Sequence, residues 1–83
     1  LSTDSLIADS LINELERTQP VNEKIRICEE ICFWQREDIQ NSPCYIRKGI
    51  AYAKEANDIF MCSKFHNMLG GYYDMQGIYD SSL

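Results

Sequence analysis

The stretch from Phe65 to Leu83 reads FHNMLGGYYDMQGIYDSSL and combines an apolar stripe, a pair of glycines and two adjacent tyrosines. With the residues before it, this stretch places apolar side chains three and four positions apart, which is the spacing of one helix face. The face comprises Met61, Cys62, Phe65, Met68, Leu69, Tyr72 and Tyr73. The sequence therefore predicts a helix over about residues 59–76.

Three glycines interrupt this segment. Gly70 and Gly71 lie inside the predicted helix, where each costs about 1 kcal/mol relative to alanine. We therefore expect another backbone to approach them closely. Gly77 suits the left-handed position just past a helix end. We expect the helix to stop there and a truncated fifth helix to begin at about residue 80.

The chain upstream contains three more amphipathic segments, separated by helix-breaking residues. The pattern predicts helices over about residues 4–17, 21–36 and 43–57. Pro20 cannot continue the first helix, and Pro20 and Pro43 both suit the first turn of the helix that follows. The fold class predicted for residues 1–83 is therefore a single all-α module.

Each of these helices carries an apolar face. The faces consist of Ala8, Leu11, Ile12 and Leu15 in the first, Ile25, Ile27, Cys28, Ile31, Cys32 and Trp34 in the second, and Ile46, Gly49, Ile50, Ala53 and Ala56 in the third. The small residues Gly49, Ala53 and Ala56 predict a close approach between helices. Asn57-Asp58 either ends the third helix or caps the fourth.

Two motifs resemble a tetratricopeptide repeat. The first helix and turn of such a repeat are matched by Leu69-Gly70-x-x-Tyr73, Gly77-x-Tyr79 and Ser82, and the second helix by Ser42-x-x-x-Ile46-x-x-Gly49. His66 replaces the family's tryptophan and Ser82 its alanine. Ser82 follows Ser42 by 40 positions, which is longer than the usual period of about 34.

The resemblance extends over about residues 22–83, and the chain resembles the long-repeat modules in the sensor portions of bacterial histidine kinases and transcriptional regulators. In the second helix two registers remain open, Cys28-Glu29-x-x-Cys32 and Ile27-Cys28-x-x-Ile31. The resemblance implies antiparallel helix-turn-helix pairs that stack as a short superhelical array. Because the chain begins at Leu1 and ends inside a motif, we expect it to be a fragment of a longer protein.

The resemblance also implies a function. The first helices of successive pairs line a concave groove, so the chain is expected to be a protein–protein interaction scaffold that binds a partner peptide or helix. The family's groove positions fall on Lys64, Asn67, Gly71, Asp74 and Met75. The alternative for these residues is the solvated side of an amphipathic helix. The alternative function is a sensory or regulatory input domain of a bacterial signalling or transcriptional regulatory protein.

Composition limits the classes of partner. The net charge is −5 and the pI about 4.6, which disfavours nucleic acid, because phosphate binding needs a basic face. No apolar run has the length of a membrane span. Tyr79 and Leu83 at the truncated end are expected to expose apolar surface through which the fragment self-associates.

Catalytic and metal chemistry find little support. Cys28 and Cys32 could bind zinc with His66 and one more ligand, but the missing ligand favours two small buried side chains. His66 could be a general base, although a lone histidine more often lies on a helix surface. We therefore expect no enzyme activity, no cofactor and no metal. Widely spaced cysteines suggest free thiols and a reducing, cytoplasmic compartment, whereas the resemblance leaves a periplasmic sensor region open.

Overall fold

The computed structural model describes the backbone of residues 3–37 and 41–81, and the side chains of residue 3 and of residues 5–37 and 41–74. It contains four helices, α1 (Thr3–Arg17), α2 (Val21–Trp34), α3 (Ser42–Glu55) and α4 (Ile59–Ser81). No strand occurs within these residues, so the predicted all-α class is confirmed. None of the described helices is long and apolar enough to cross a bilayer.

The helices pack in chain order. α1 packs on α2, α2 on α3 and α3 on α4. The resulting body is shallow, with dimensions of 43 × 33 × 14 Å. Its core comprises Leu15, Ile25, Ile27, Cys28, Ile31, Cys32, Ile46, Ile50, Ala53 and Phe65. The apolar faces predicted for α1, α2 and α3 are therefore the faces that the structure buries.

The contribution of α4 to the core centres on Phe65, which is fully buried. Other members of its predicted apolar face are only partly buried against the core, namely Met61, Cys62, Met68, Leu69 and Tyr72. Tyr73 is 47% exposed, and its hydroxyl accepts a hydrogen bond of 2.5 Å from Arg47. The prediction for this face is confirmed in its first turns and is wrong for Tyr73.

α3 and α4 are in tight contact at Gly49. A Cβ at Gly49 would lie 2.6 Å from Cζ of Phe65, far inside ordinary contact distance. Ala53, one turn along α3, is also completely buried. The close approach predicted from Gly49, Ala53 and Ala56 is therefore confirmed at Gly49, while Ala56 is only partly buried against the core.

The turn between α3 and α4 performs both predicted roles. Asn57 adopts a left-handed conformation with φ of 57°. The N–H groups of Asp58 and Asn57 donate to the carbonyls of Ala53 (2.8 Å) and Lys54 (3.1 Å), which is the Schellman pattern of a helix C-terminus. Oδ1 of Asp58 then accepts a 3.0 Å hydrogen bond from the N–H of Met61 and so caps α4.

The helix boundaries differ from the predicted ones by one or two residues at most sites. Pro20 precedes α2 in an extended conformation, as its fixed φ allows. α3 begins at Ser42 rather than Pro43, and Ser42 is fully buried. These shifts are the ordinary uncertainty of helix ends.

The expectations for the glycines of α4 are wrong. A Cβ at Gly70 or Gly71 would meet nothing within 4 Å, because both residues lie on the exposed side of the helix. α4 also passes through Gly77 to Ser81, so the predicted stop and the fifth helix from about residue 80 are not formed. Glycine adopts helical φ and ψ at a cost of only about 1 kcal/mol, which does not by itself end a helix.

Candidate partner-binding groove

A concave surface lies between α2 and α4 and encloses about 690 Å³. We call it the α2–α4 groove. Its walls consist of Glu29, Glu30, Cys32, Phe33, Trp34 and Arg36 on the α2 side and Lys64, Met68, Gly71 and Tyr72 on the α4 side. The groove therefore joins residues that are more than 25 positions apart in the sequence.

The floor of the groove is aromatic and apolar. The rings of Phe33 and Trp34 meet edge to face, with centroids 5.2 Å apart and an interplanar angle of 88°. Phe33 is 56% exposed, although phenylalanine is among the side chains most often buried. Met68 and Tyr72, one turn apart on α4, supply the opposite wall and are partly buried. A partner can thus reach apolar surface that the fold itself leaves uncovered.

One end of the groove is closed by an ion pair. Nζ of Lys64 contacts Oε2 of Glu29, and the two side chains are 49% and 33% exposed. Exposed pairs of this kind contribute at most about 1 kcal/mol. The main effect of the pair is to join α4 to α2.

The other end is closed by a hydrogen bond from α4 to the residues after α2. The hydroxyl of Tyr72 donates to the carbonyl oxygen of Arg36 at 2.7 Å. Nη1 of Arg36 donates to the carbonyl of Phe33 at 2.9 Å, and its guanidinium lies 4.8 Å from the centroid of the Phe33 ring. Arg36 is therefore engaged by its own helix end.

Two acidic side chains flank the groove without such engagement. Glu30 is in the α2 wall and exposed, and Asp74 is exposed on α4, one turn beyond Gly71. Neither carboxylate contacts a partner among the side chains that the structure describes. Two carboxylates at this surface are therefore without a contact, whereas Arg36 keeps a positive charge that no carboxylate of the described residues pairs with.

The five residues predicted to face a partner divide into three groups. Lys64 and Gly71 line the α2–α4 groove. Asn67 and Asp74 are exposed on α4 but do not line it. The side chain of Met75 lies outside the described residues, as do those of Tyr79 and Leu83, on which the expected self-association depends.

The sequence reasoning missed the α2 wall. The helical pattern predicts Trp34 as part of the apolar face of α2 and predicts no role for Phe33. The available signal was the aromatic pair at the end of the helix, in which Phe33 lies outside the apolar stripe formed by Cys28, Ile31 and Cys32. Applying the groove positions of the resemblance to α2 as well as to α4 would also have led to this wall.

The four cysteines and the histidine differ in burial. Burial raises the pKa of Cys28 to about 11 and that of Cys32 to about 12, so both thiols are neutral at physiological pH, as buried structural thiols are. Their prediction as small buried side chains is confirmed. Cys44 is exposed and Cys62 partly buried, and all four are free thiols. His66 is exposed on α4.

Among the side chains that the structure describes, no group of three or more His, Cys, Asp or Glu residues is placed to hold a metal ion. No protein-family model, no curated protein and no solved structure matches this chain.

Proposed function

We propose that this chain is a protein–protein interaction module of the tetratricopeptide type, which binds a partner peptide or helix in the α2–α4 groove. The observation that carries the proposal is the exposed aromatic floor, above all Phe33 at 56% exposure. Clustered aromatic side chains dominate the binding energy of many protein interfaces. In this resemblance α2 and α4 take the positions of first helices, which line the concave surface, although α4 continues to Ser81 and no second helix follows it within the described residues.

The order of contacts supports this arrangement of helix pairs. From α2 to α4, Glu29 meets Lys64 and Arg36 meets Tyr72, so the numbers rise together and these two helices run in the same direction. From α3 to α4, Arg47 meets Tyr73 whereas Gly49 meets Phe65, so the numbers run oppositely. An α3 that is antiparallel to α4 is the alternation that stacked helix-turn-helix pairs require.

The thickness of the body supports the same arrangement. Helix axes pack about 8–10 Å apart, and the Cα atoms lie about 2.3 Å from each axis. Two layers of helices therefore span roughly 13–15 Å between their outer Cα atoms, and the body is 14 Å thick. In the proposed array α2 and α4 form one layer, and α1 and α3 form the other.

The side-chain chemistry supports binding rather than catalysis. Cys28 and Cys32 have thiol pKa values raised by burial, which is the opposite of an activated nucleophile. His66 is exposed and lies outside the groove. We therefore propose a non-enzymatic role, in which the module selects a partner by shape and by its aromatic floor.

A peptide selection tests this proposal. Random peptides displayed on phage are selected on the immobilised chain, and the enriched peptides are compared on Phe33→Ser and Phe60→Ser. The control is matched because Phe60 is 75% exposed and does not line the groove. Both variants should keep the helical circular dichroism of the parent. We expect Phe33→Ser to weaken binding by about tenfold or more, the equivalent of about 1.4 kcal/mol, and Phe60→Ser to leave it unchanged.

Two outcomes would count against the proposal. Selection that enriches no peptide above background would remove the binding function itself. Enriched peptides that are lost with Phe60→Ser but kept with Phe33→Ser would move the binding surface to the α3–α4 turn.

A second candidate is a sensory input domain that binds a small signal in the same groove. The observation that favours it is the volume of about 690 Å³, which lies within the range of about 300–1,000 Å³ typical of small-molecule sites. Saturable quenching of Trp34 fluorescence by a small compound, in competition with a selected peptide, would support this role. Quenching without competition would place the compound elsewhere.

A further inference from the structure

The charged side chains around the α2–α4 groove differ in whether they contact another group of the protein. Lys64 is paired with Glu29, whereas Arg36 lies over the ring of Phe33 and keeps its positive charge, the one cation of the groove lining without a carboxylate partner among the described residues. The carboxylates of Glu30 and Asp74 are exposed and have no contact among the described side chains. A partner that enters the groove therefore meets an apolar floor flanked by unpaired negative charge.

Charges near the groove add to its negative charge. Glu37, directly after Arg36, is also exposed and without a contact among the described residues. The chain as a whole carries a net charge of −5. At physiological ionic strength charges act over about 8 Å, so the local carboxylates dominate docking and the net charge adds weak attraction during approach.

We propose that the α2–α4 groove selects a positively charged peptide segment. Apolar side chains of that segment contact the floor at Phe33 and Trp34 and the α4 wall at Met68. Lysine or arginine side chains next to these anchors pair with Glu30 and Asp74. This inference rests on the proposed function, because it specifies the partner of the same groove, and it implies that peptides presenting acidic side chains or a terminal carboxylate are rejected.

Trp34 makes the inference directly measurable. It is the single tryptophan of the chain and it lines the groove, so its fluorescence reports occupancy without a label. The probes are three synthetic peptides of equal length that lack tryptophan. One carries leucine and phenylalanine anchors flanked by lysines, the second carries the same anchors flanked by glutamates, and the third keeps the lysines but replaces the anchors with serines.

We expect the lysine-flanked anchored peptide to change Trp34 emission saturably, with an affinity that falls as salt is added. The affinity of the glutamate-flanked peptide should be lower by about tenfold or more, because the two carboxylates of the protein that attract lysine repel glutamate. The serine peptide should bind no better, because lysines alone gain only exposed ion pairs.

Charge variants assign the preference to particular residues. Glu30→Lys/Asp74→Lys changes two exposed side chains, so circular dichroism should remain that of the parent. Loss of the two attractions should lower the affinity of the lysine-flanked peptide by roughly two- to fivefold per charge. The lysines introduced in this variant should raise the affinity of the glutamate-flanked peptide. The matched control is Asp9→Lys/Glu14→Lys, which makes the same change in net charge at exposed positions of α1 and should leave the affinity within about twofold.

The outcomes separate this inference from the proposed function. Equal binding of the lysine-flanked and glutamate-flanked peptides, or tighter binding of the latter, overturns the charge preference and leaves a groove that binds apolar anchors. Equal losses in the α1 control and the rim variant overturn the roles of Glu30 and Asp74. Absence of any Trp34 response to all three probes also overturns the inference, while the phage selection decides separately whether the groove binds peptides.

Discussion

The outer edge of the Phe65 ring fills the space that a side chain at Gly49 would need. Three of its carbons, Cζ, Cε2 and Cε1, lie 2.6–2.8 Å from the position of a Cβ on Gly49. Phe65 is the only fully buried side chain that the described part of α4 contributes to the core. This contact is therefore one limit on how closely α4 can lie against α3, whose packing positions one wall of the groove.

Gly49→Ala should destabilise the protein. Overpacking of a core typically costs about 1–3 kcal/mol, and the higher helix propensity of alanine returns about 1 kcal/mol of this. We expect a net loss of up to about 2 kcal/mol in the free energy of unfolding, measured by urea denaturation followed by circular dichroism. The matched control is Gly70→Ala, where a Cβ meets nothing within 4 Å and the same propensity should stabilise by about 1 kcal/mol. Equal effects of the two changes would show that Phe65 is free to move away.

Ser42→Ala should leave stability unchanged or raise it. Ser42 is fully buried at the start of α3, and its Oγ has no hydrogen-bond partner among the described residues. A buried hydroxyl without a partner costs about 1–3 kcal/mol, which alanine removes without opening a large cavity. The measurement is the urea midpoint, with the exposed Ser63→Ala as control. A loss of more than about 1 kcal/mol would show that the Ser42 hydroxyl is bonded in solution.

The α3–α4 turn predicts opposite effects of two changes at one residue. Asn57 has φ of 57°, a conformation that costs a residue with a Cβ about 1–2 kcal/mol and a β-branched residue more. Asn57→Gly should therefore stabilise the turn, while Asn57→Val should destabilise it. Thermal melts of both variants test the prediction, because neither alters a buried contact. A Val variant as stable as the Gly variant would contradict the left-handed geometry.

The buried thiols predict a loss of stability at alkaline pH. The pKa of Cys28 rises from 9.0 to about 11 and that of Cys32 to about 12, chiefly through burial. Below about pH 9 both states hold the thiol proton and stability is constant. Above about pH 9 the thiols ionise in the unfolded chain but stay protonated in the folded protein. The free energy of unfolding therefore falls by about 1.4 kcal/mol per pH unit for each thiol, until the pH reaches the pKa of that thiol in the folded protein.

Urea midpoints at about pH 8 and about pH 10.5 measure this slope. Cys28→Ala should reduce it by roughly the share of one thiol, whereas Cys44→Ala, at an exposed position, should leave it unchanged. A slope that both variants share would assign the alkaline transition to other groups.

The sequence predicts those parts of the fold that depend on local pattern. The apolar spacing of α1, α2 and α3 and the breaks at Pro20 and Asn57 act within a few residues, so periodicity and turn chemistry suffice to find them. The glycines of α4 show the limit of this reasoning. A glycine indicates that a Cβ is dispensable, but not whether a neighbouring side chain or solvent occupies the space where the Cβ would be. The sequence therefore predicts a close contact at Gly70 and Gly71 as well as at Gly49, but a neighbour fills the space only at Gly49.

The groove shows the same limit for function. Lys64 and Gly71 could be placed on it from α4 alone, because helical spacing fixes which residues share a face. Phe33 and Trp34 belong to the groove only because α3 brings α2 alongside α4. That juxtaposition depends on packing between distant segments, which no local pattern encodes.

The attachment of α1 has a consequence for the order in which the molecule opens. α1 packs on α2 and places Ala8 and Leu15 in buried positions, whereas α2 and α3 supply most of the core. Amide hydrogens of α1 should therefore exchange with deuterium before those of the α2–α3 seam. Because one wall of the groove is held by packing of α2 on α3 and the other by packing of α4 on α3, transient detachment of the N-terminal helix leaves the recognition surface assembled.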